Sequence, residues 1–130
     1  MDEELYTKGM TMRRQVLGDA YVDKATAHVD DFNREFQRIV TEYCWGEVWT
    51  RQVLTNKQRS LNNLCIIATL NRAAEFEIHV RGAVRNGCTL EEIRDTLLQV
   101  ADALRDRAIG RHGCRDSGLP RAGPTSIIRC

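Results

Sequence analysis

Six side chains in this 130-residue chain are of types that act on small anions. Trp45, Glu47, Trp49 and Arg51 fall within seven residues, Arg59 follows, and His79 lies 20 residues beyond it. Guanidinium groups suit planar, bidentate carboxylate recognition. Imidazole and carboxylate side chains can carry a proton to a reacting atom. Tryptophan supplies a broad apolar wall and seeks a partner for its indole N–H. The same residues read equally as ordinary packing: a solvated carboxylate at Glu47, a surface ion pair at Arg59, a satisfied half-buried histidine at His79. Arg72 and Glu75 have i,i+3 pair spacing, and Asn71 suits either a pocket or a bond to a neighbouring helix. On one straight helix, Arg59 and His79 stand about 30 Å apart. They can then serve one small substrate only if the helix breaks between them or a second subunit supplies one of them.

The elements that must hold these residues are helices. Thr55 precedes Gln58 by three residues and Thr89 precedes Glu92 by three, the spacing of a capping box. Between them, Leu61, Leu64, Cys65, Ala68, Phe76, Val80 and Ala83 recur mostly at three- and four-residue steps, with Ile66, Ile67 and Leu70 on a second side. This predicts one long central helix from Thr55 to about Arg85, stopped by Asn86-Gly87. A third helix from Thr89 carries Ile93, Leu97, Val100, Ala101 and Leu104, antiparallel to the long one across a short turn. Upstream, residues 23–43 read as an amphipathic helix with Val29, Phe32, Phe36, Ile39, Val40 and Tyr43 facing the core. Gly46 is expected to end or bend that helix. Residues 1–22 read as an irregular or briefly helical arm. No strand pattern competes, so the fold class is all-α: a compact helical domain, residues 1–108, built on a central antiparallel helix pair. Residues 109–130, rich in glycine, proline and scattered arginine, read as a disordered or aberrant tail.

Composition narrows the function classes. A formal charge of +1 gives no basic face for nucleic acid or anionic membrane. No apolar run approaches the roughly 20 residues of a membrane span, and the acidic start MDEELYTKGM lacks a signal segment. The expectation is a soluble, cytoplasmic protein. The five cysteines, Cys44, Cys65, Cys88, Cys114 and Cys130, form neither CxxC nor CxC, which argues against a disulfide framework and a zinc knuckle. His112 and Cys114 in the tail make a poor metal site, so no metal is expected.

VLGDAYV, YCWGEVWTR and RSLNNLCIIATLNRAAEFEIHVRGAVRNGCTLEEIRDTLLQVA together resemble the carboxymuconolactone decarboxylase family, from about Gly9 to Ala101. The likeness is nearest to the 4-carboxymuconolactone decarboxylases of the protocatechuate branch of the β-ketoadipate pathway. Two departures stand out. The family usually has arginine-proline-glycine-leucine where this chain has Arg51-Gln52-Val53-Leu54. After Val100 and Ala101, relatives run into a tyrosine-cysteine-glycine-x-proline turn and a last helix. This chain continues instead with Asp102-Ala103-Leu104-Arg105, as a shifted reading frame or a mis-spliced exon would give.

The resemblance implies an alkylhydroperoxidase D-like fold and cofactor-independent decarboxylation of 4-carboxymuconolactone, or a similar carboxylated lactone, to the enol-lactone. No cofactor is needed, because the lactone carbonyl is itself the electron sink. It further implies a homo-oligomer, trimer or hexamer, with sites near subunit contacts. His79 is then expected as proton donor or oxyanion partner, with Glu47 orienting it or sharing the proton transfer. Arg51 and Arg59 are expected on the substrate carboxylates, with Trp45 and Trp49 as walls. An alternative is the peroxidase chemistry of alkylhydroperoxidase D-like proteins, which place CxxCxxH on this helix. With the histidine at His79, Ala73 and Phe76 occupy the two cysteine positions, and neither can form a thiolate. A further alternative is an inactive assembly subunit with a disrupted C-terminus.

Overall fold

The computed structural model describes residues 2–108, and among them there is no strand. Asp2 starts the first helix by accepting from the backbone N–H groups of Glu4 and Leu5. This helix, α1 (Glu3–Leu17), is 15 residues long and carries Val16 and Leu17 into the core. The predicted irregular arm is therefore a structural helix. Gly18, at φ 88, turns the chain into α2 (Asp19–Ala27).

The expected helix over 23–43 is interrupted. The Asp30 carboxylate accepts from the N–H groups of Phe32 and Asn33, and the Asn33 amide donates to the His28 carbonyl. These side-chain bonds to nearby backbone compete with helix and hold a turn. The chain resumes as α3 (Arg34–Ile39), which continues into a π-helical segment, Val40–Val48. The predicted core stripe does not face the core of this chain: Phe32 is 97% exposed, and Phe36, Ile39 and Tyr43 are more than half exposed. Only Val29 and Val40 of that stripe are half-buried.

Gly46 does not end the helix; it lets two helices touch. A Cβ at Gly46 would fall on the Leu5 carbonyl of α1, and one at Gly9 would fall on the Thr41 carbonyl of the π segment. The two glycines bring the backbones of α1 and the π segment together, and Trp45 of that segment and Trp49 just after it reach the core. Trp45 and Trp49 stack with ring centroids 5.0 Å apart and join Val16, Leu17 and Val22 in one buried cluster.

The long central helix is two helices. α4 (Asn56–Thr69) starts at Thr55 through the full capping box with Gln58. It stops at Leu70, and Asn71 adopts the left-handed conformation, φ 54. Asparagine is among the few residues other than glycine that enter this region readily. α5 (Ala73–Arg85) then runs back along α4. The continuous apolar period across Leu70 concealed the reversal, because both helices bury faces of similar composition. Leu64, Ala83, Cys88 and Ile93 make the second buried cluster, flanked by Leu61, Phe76, Val80 and Leu97. Ile78 of α5 packs on the first cluster, so α5 joins the two. Asn86 donates to the Ser60 hydroxyl at 2.9 Å, tying the end of α5 to the start of α4.

The last helix, α6 (Leu90–Ala108), begins with the predicted reciprocal bonds between Thr89 and Glu92. It packs on α4 through Ile93 and Leu97. Among the described residues no helix is long and apolar enough to cross a membrane. The tail expected over residues 109–130, with His112 and Cys114, lies outside the described residues.

Candidate functional site

The reversal at Asn71 decides which polar groups meet. Arg59 and Asn63 are four residues apart on α4 and share a face, about 6 Å apart along the axis. Folding α5 back onto α4 brings His79 to Asn63, whose amide nitrogen lies 3.4 Å from the imidazole Nδ1. His79 therefore meets a residue one helical turn along α4 from Arg59, where one straight helix would have carried it about 30 Å away. Of the arrangements the 20-residue spacing left open, a break in the helix is the one present within this chain.

His79 is half-buried. Burial pulls its pKa below the ordinary imidazole value, and the Glu75 carboxylate one turn away pushes the other way. The ring is thus neutral near pH 7. With the Asn63 amide donating to Nδ1, a neutral ring carries its proton on Nε2. Glu75 itself is ion-paired with Arg72, and that guanidinium holds its carboxyl below the usual carboxylate range.

Arg59 is held at the entrance of α4. One Nη2 hydrogen bond reaches the Arg51 carbonyl at 3.1 Å, while its buried Nε has no partner. Arg59 lines a recess of about 90 Å³ with Val48, Trp49, Leu54, Asn62 and Asn63. An unfilled buried N–H on a guanidinium, beside two amides and a tryptophan wall, is an arrangement that receives a carboxylate. The recess admits a carboxylate group; a whole small ligand needs about 300 Å³ or more.

The other expected residues fall around this recess in different ways. Trp49 lines it, whereas Trp45 stacks behind Trp49 in the core. Arg51 is exposed and contributes its carbonyl to Arg59. Glu47 is exposed, 3.9 Å from the Arg51 guanidinium, and the hydrogen-bond partner of His79 is Asn63 rather than Glu47. Asn71, considered above as a pocket donor, is exposed and makes the turn. Asn62 and Asn63 were missed. Their signal lay in their position, three and four residues after Arg59, but it carries meaning only once α5 folds back.

Residues 34–109, more than half of the chain, match the carboxymuconolactone decarboxylase family. The chain belongs to that family. This carboxymuconolactone decarboxylase family member is 35% identical over 97 residues to a 4-carboxymuconolactone decarboxylase of Acinetobacter baylyi, covering 75% of the chain and 72% of the relative. It is 40% identical over 101 residues to a nitrosuccinic acid decarboxylase of Metarhizium robertsii, covering 78% and 71%. A third relative, a 48% identical match over 48 residues, is a 4-carboxymuconolactone decarboxylase of Pseudomonas putida; the match spans 36% of this chain and all of the relative's sequence. All three relatives are named decarboxylases, so the family's chemistry is carboxy-lyase chemistry. Arg59, Asn63, His79 and Trp49 all lie within the matched residues.

Proposed function

We propose that this chain removes CO2 from 4-carboxymuconolactone or a closely similar carboxylated lactone, without a cofactor, in the catabolism of aromatic compounds. The observation that carries the reading is the α4–α5 reversal, which hydrogen-bonds a neutral imidazole, His79, to Asn63, an amide lining the same recess as the incompletely satisfied Arg59 guanidinium. The reaction asks for those three groups. Arg59, with Arg51 from the loop, takes the carboxylates and orients the one that leaves. The C–CO2 bond breaks, and its electron pair passes through the double bond onto the lactone carbonyl. His79 Nε2–H donates to the charge growing on that oxygen. The dienolate then takes a proton at carbon, and Glu47, exposed to water, is the proposed relay for it.

The names of the relatives support a common logic. Nitrosuccinic acid and carboxymuconolactone both present a carboxylate beside a group that accepts an electron pair, a nitro group in one and a lactone carbonyl in the other. Neither substrate needs a borrowed electron sink.

We also assign the active form to a homo-oligomer, a trimer or hexamer. Two observations support it: the recess of one chain is too small for the whole substrate, and Phe32, Phe36, Ile39 and Tyr43 leave an apolar stripe uncovered. A neighbouring copy would cover the stripe and complete the wall of the site.

The test is turnover by purified protein. Release of CO2 from 4-carboxymuconolactone, in the presence of a metal chelator, is the expected result, with no reduction of alkyl hydroperoxide in a parallel assay. Peroxide reduction without CO2 release would reverse the assignment. A folded oligomer inactive in both assays would make the chain an assembly subunit.

A further inference from the structure

Arg13 is on the buried face of α1, with Gly9 one turn before it and Val16 and Leu17 one turn after. It is 6% exposed. Its Nη1 donates to Gln37 Oε1 at 3.2 Å and to Thr41 Oγ1 at 3.3 Å, while its buried Nε has no partner. Both acceptors are neutral, and Arg13 is in no ion pair among the described residues. Burial pulls its pKa below the ordinary guanidinium value, with the Tyr21 and Tyr6 hydroxyls acting the other way. A guanidinium taken out of water without a counter-charge is costly unless an anion meets it.

A cavity of about 400 Å³ opens beside this group, within the range of small-molecule sites. Tyr6, Met10 and Val29 give it an apolar side. Its other cations are already matched: Arg34 pairs with Asp31 at 2.8 Å, and Arg38 with Glu3 and Glu42 at 2.6 and 2.7 Å. The one lining carboxylate, Glu35, is exposed and pairs with none of them. Arg13 is thus the lining cation without a carboxylate among the described residues. The cavity shares no lining residue with the Arg59 recess.

We propose that this cavity is a second ligand site, taking a small carboxylate with a compact apolar body, its carboxylate seated on the Arg13 guanidinium. The fork of Arg13 fits the carboxylate, and Tyr6, Met10 and Val29 cover the body. A bound acid would join α1 to α3 and the π segment through Arg13, Gln37 and Thr41. Because that segment carries Trp45 and leads directly into Trp49, occupancy stabilises the scaffold behind the decarboxylase recess.

The experiment measures benzoate binding by calorimetry and by the shift in Tm. Benzyl alcohol and inorganic phosphate serve as the uncharged and the non-apolar controls. Benzoate is expected to bind and raise Tm in the wild type and equally in an Arg59→Gln, His79→Asn double variant, with neither control acting. Arg13→Met is expected to weaken benzoate binding about tenfold or more. Val29→Trp, which fills the cavity and leaves Arg13 in place, is expected to do the same, and it decides the matter should Arg13→Met fail to fold. Absence of benzoate binding in the double variant would overturn the proposal. So would equal action of phosphate, or binding that survives both Arg13→Met and Val29→Trp.

Discussion

His79 is neutral because it is half-buried, and the direction of that shift makes two pH predictions. In the unfolded chain its pKa is near 6.5, and in the folded chain it is lower. As pH falls below about 6.5 the unfolded state takes up a proton that the folded state refuses, so stability declines until the folded pKa is passed. Melting temperatures between pH 7.5 and 5 are expected to show this decline, and His79→Asn to remove its share of the slope. If the neutral ring is the working form, kcat/KM also falls on the acid side, with an apparent pKa below 6.5. An acidic optimum, with activity lost above that pKa, would instead make His79 the proton donor. Arg59 acts differently, through binding. Arg59→Gln keeps hydrogen bonding but loses the charged fork, and is expected to raise KM about tenfold or more with a smaller change in kcat. Steady-state kinetics on the lactone separate the two effects.

At the level of the helix, the site depends on one residue that touches no substrate. Asn71 holds the left-handed turn that folds α5 onto α4. Asn71→Gly is expected to preserve both stability and kcat, since glycine enters that conformation freely. Asn71→Ala is expected to cost about 1 kcal/mol or more and to lower kcat, since alanine favours running α4 straight through. Thermal melts and kinetics on both variants check this. The same turn shows how far the sequence could be read. Capping boxes at Thr55 and Thr89 were legible because their chemistry is local, and both formed. The break at Asn71 was not, because Leu61 to Val80 keep an unbroken apolar rhythm and asparagine is only an occasional stop. Arg59, His79 and Trp49 were chosen from residue type and family pattern, and the fold sets Arg59 and Trp49 on one recess and His79 against Asn63. Asn63 was not, because its relevance exists only in the folded hairpin. Helix α1 was underestimated since its burial rests on a glycine contact, Gly9 against Thr41 and Gly46, that no periodicity reports.

At the scale of the whole molecule, the described residues leave a run of large apolar side chains exposed. The stripe Phe32, Phe36, Ile39 and Tyr43 has the spacing of a core face yet lies open, which explains why it misled a reading confined to one chain. A core face can belong to an interface between copies. Phe36→Arg is expected to lower the mass measured by light scattering toward that of a single chain, and to reduce CO2 release with it; an unchanged mass would remove this face from the assembly. The proposed decarboxylation requires His79 to act in the transition state, beside Arg59 and Asn63. The direct measurement is kcat for CO2 release by wild type and His79→Asn, with melting temperatures taken at the same pH. The expected result is a fall in kcat of roughly 100-fold or more, as for loss of an oxyanion donor, with folding intact. Undiminished kcat in a folded His79→Asn protein would contradict it.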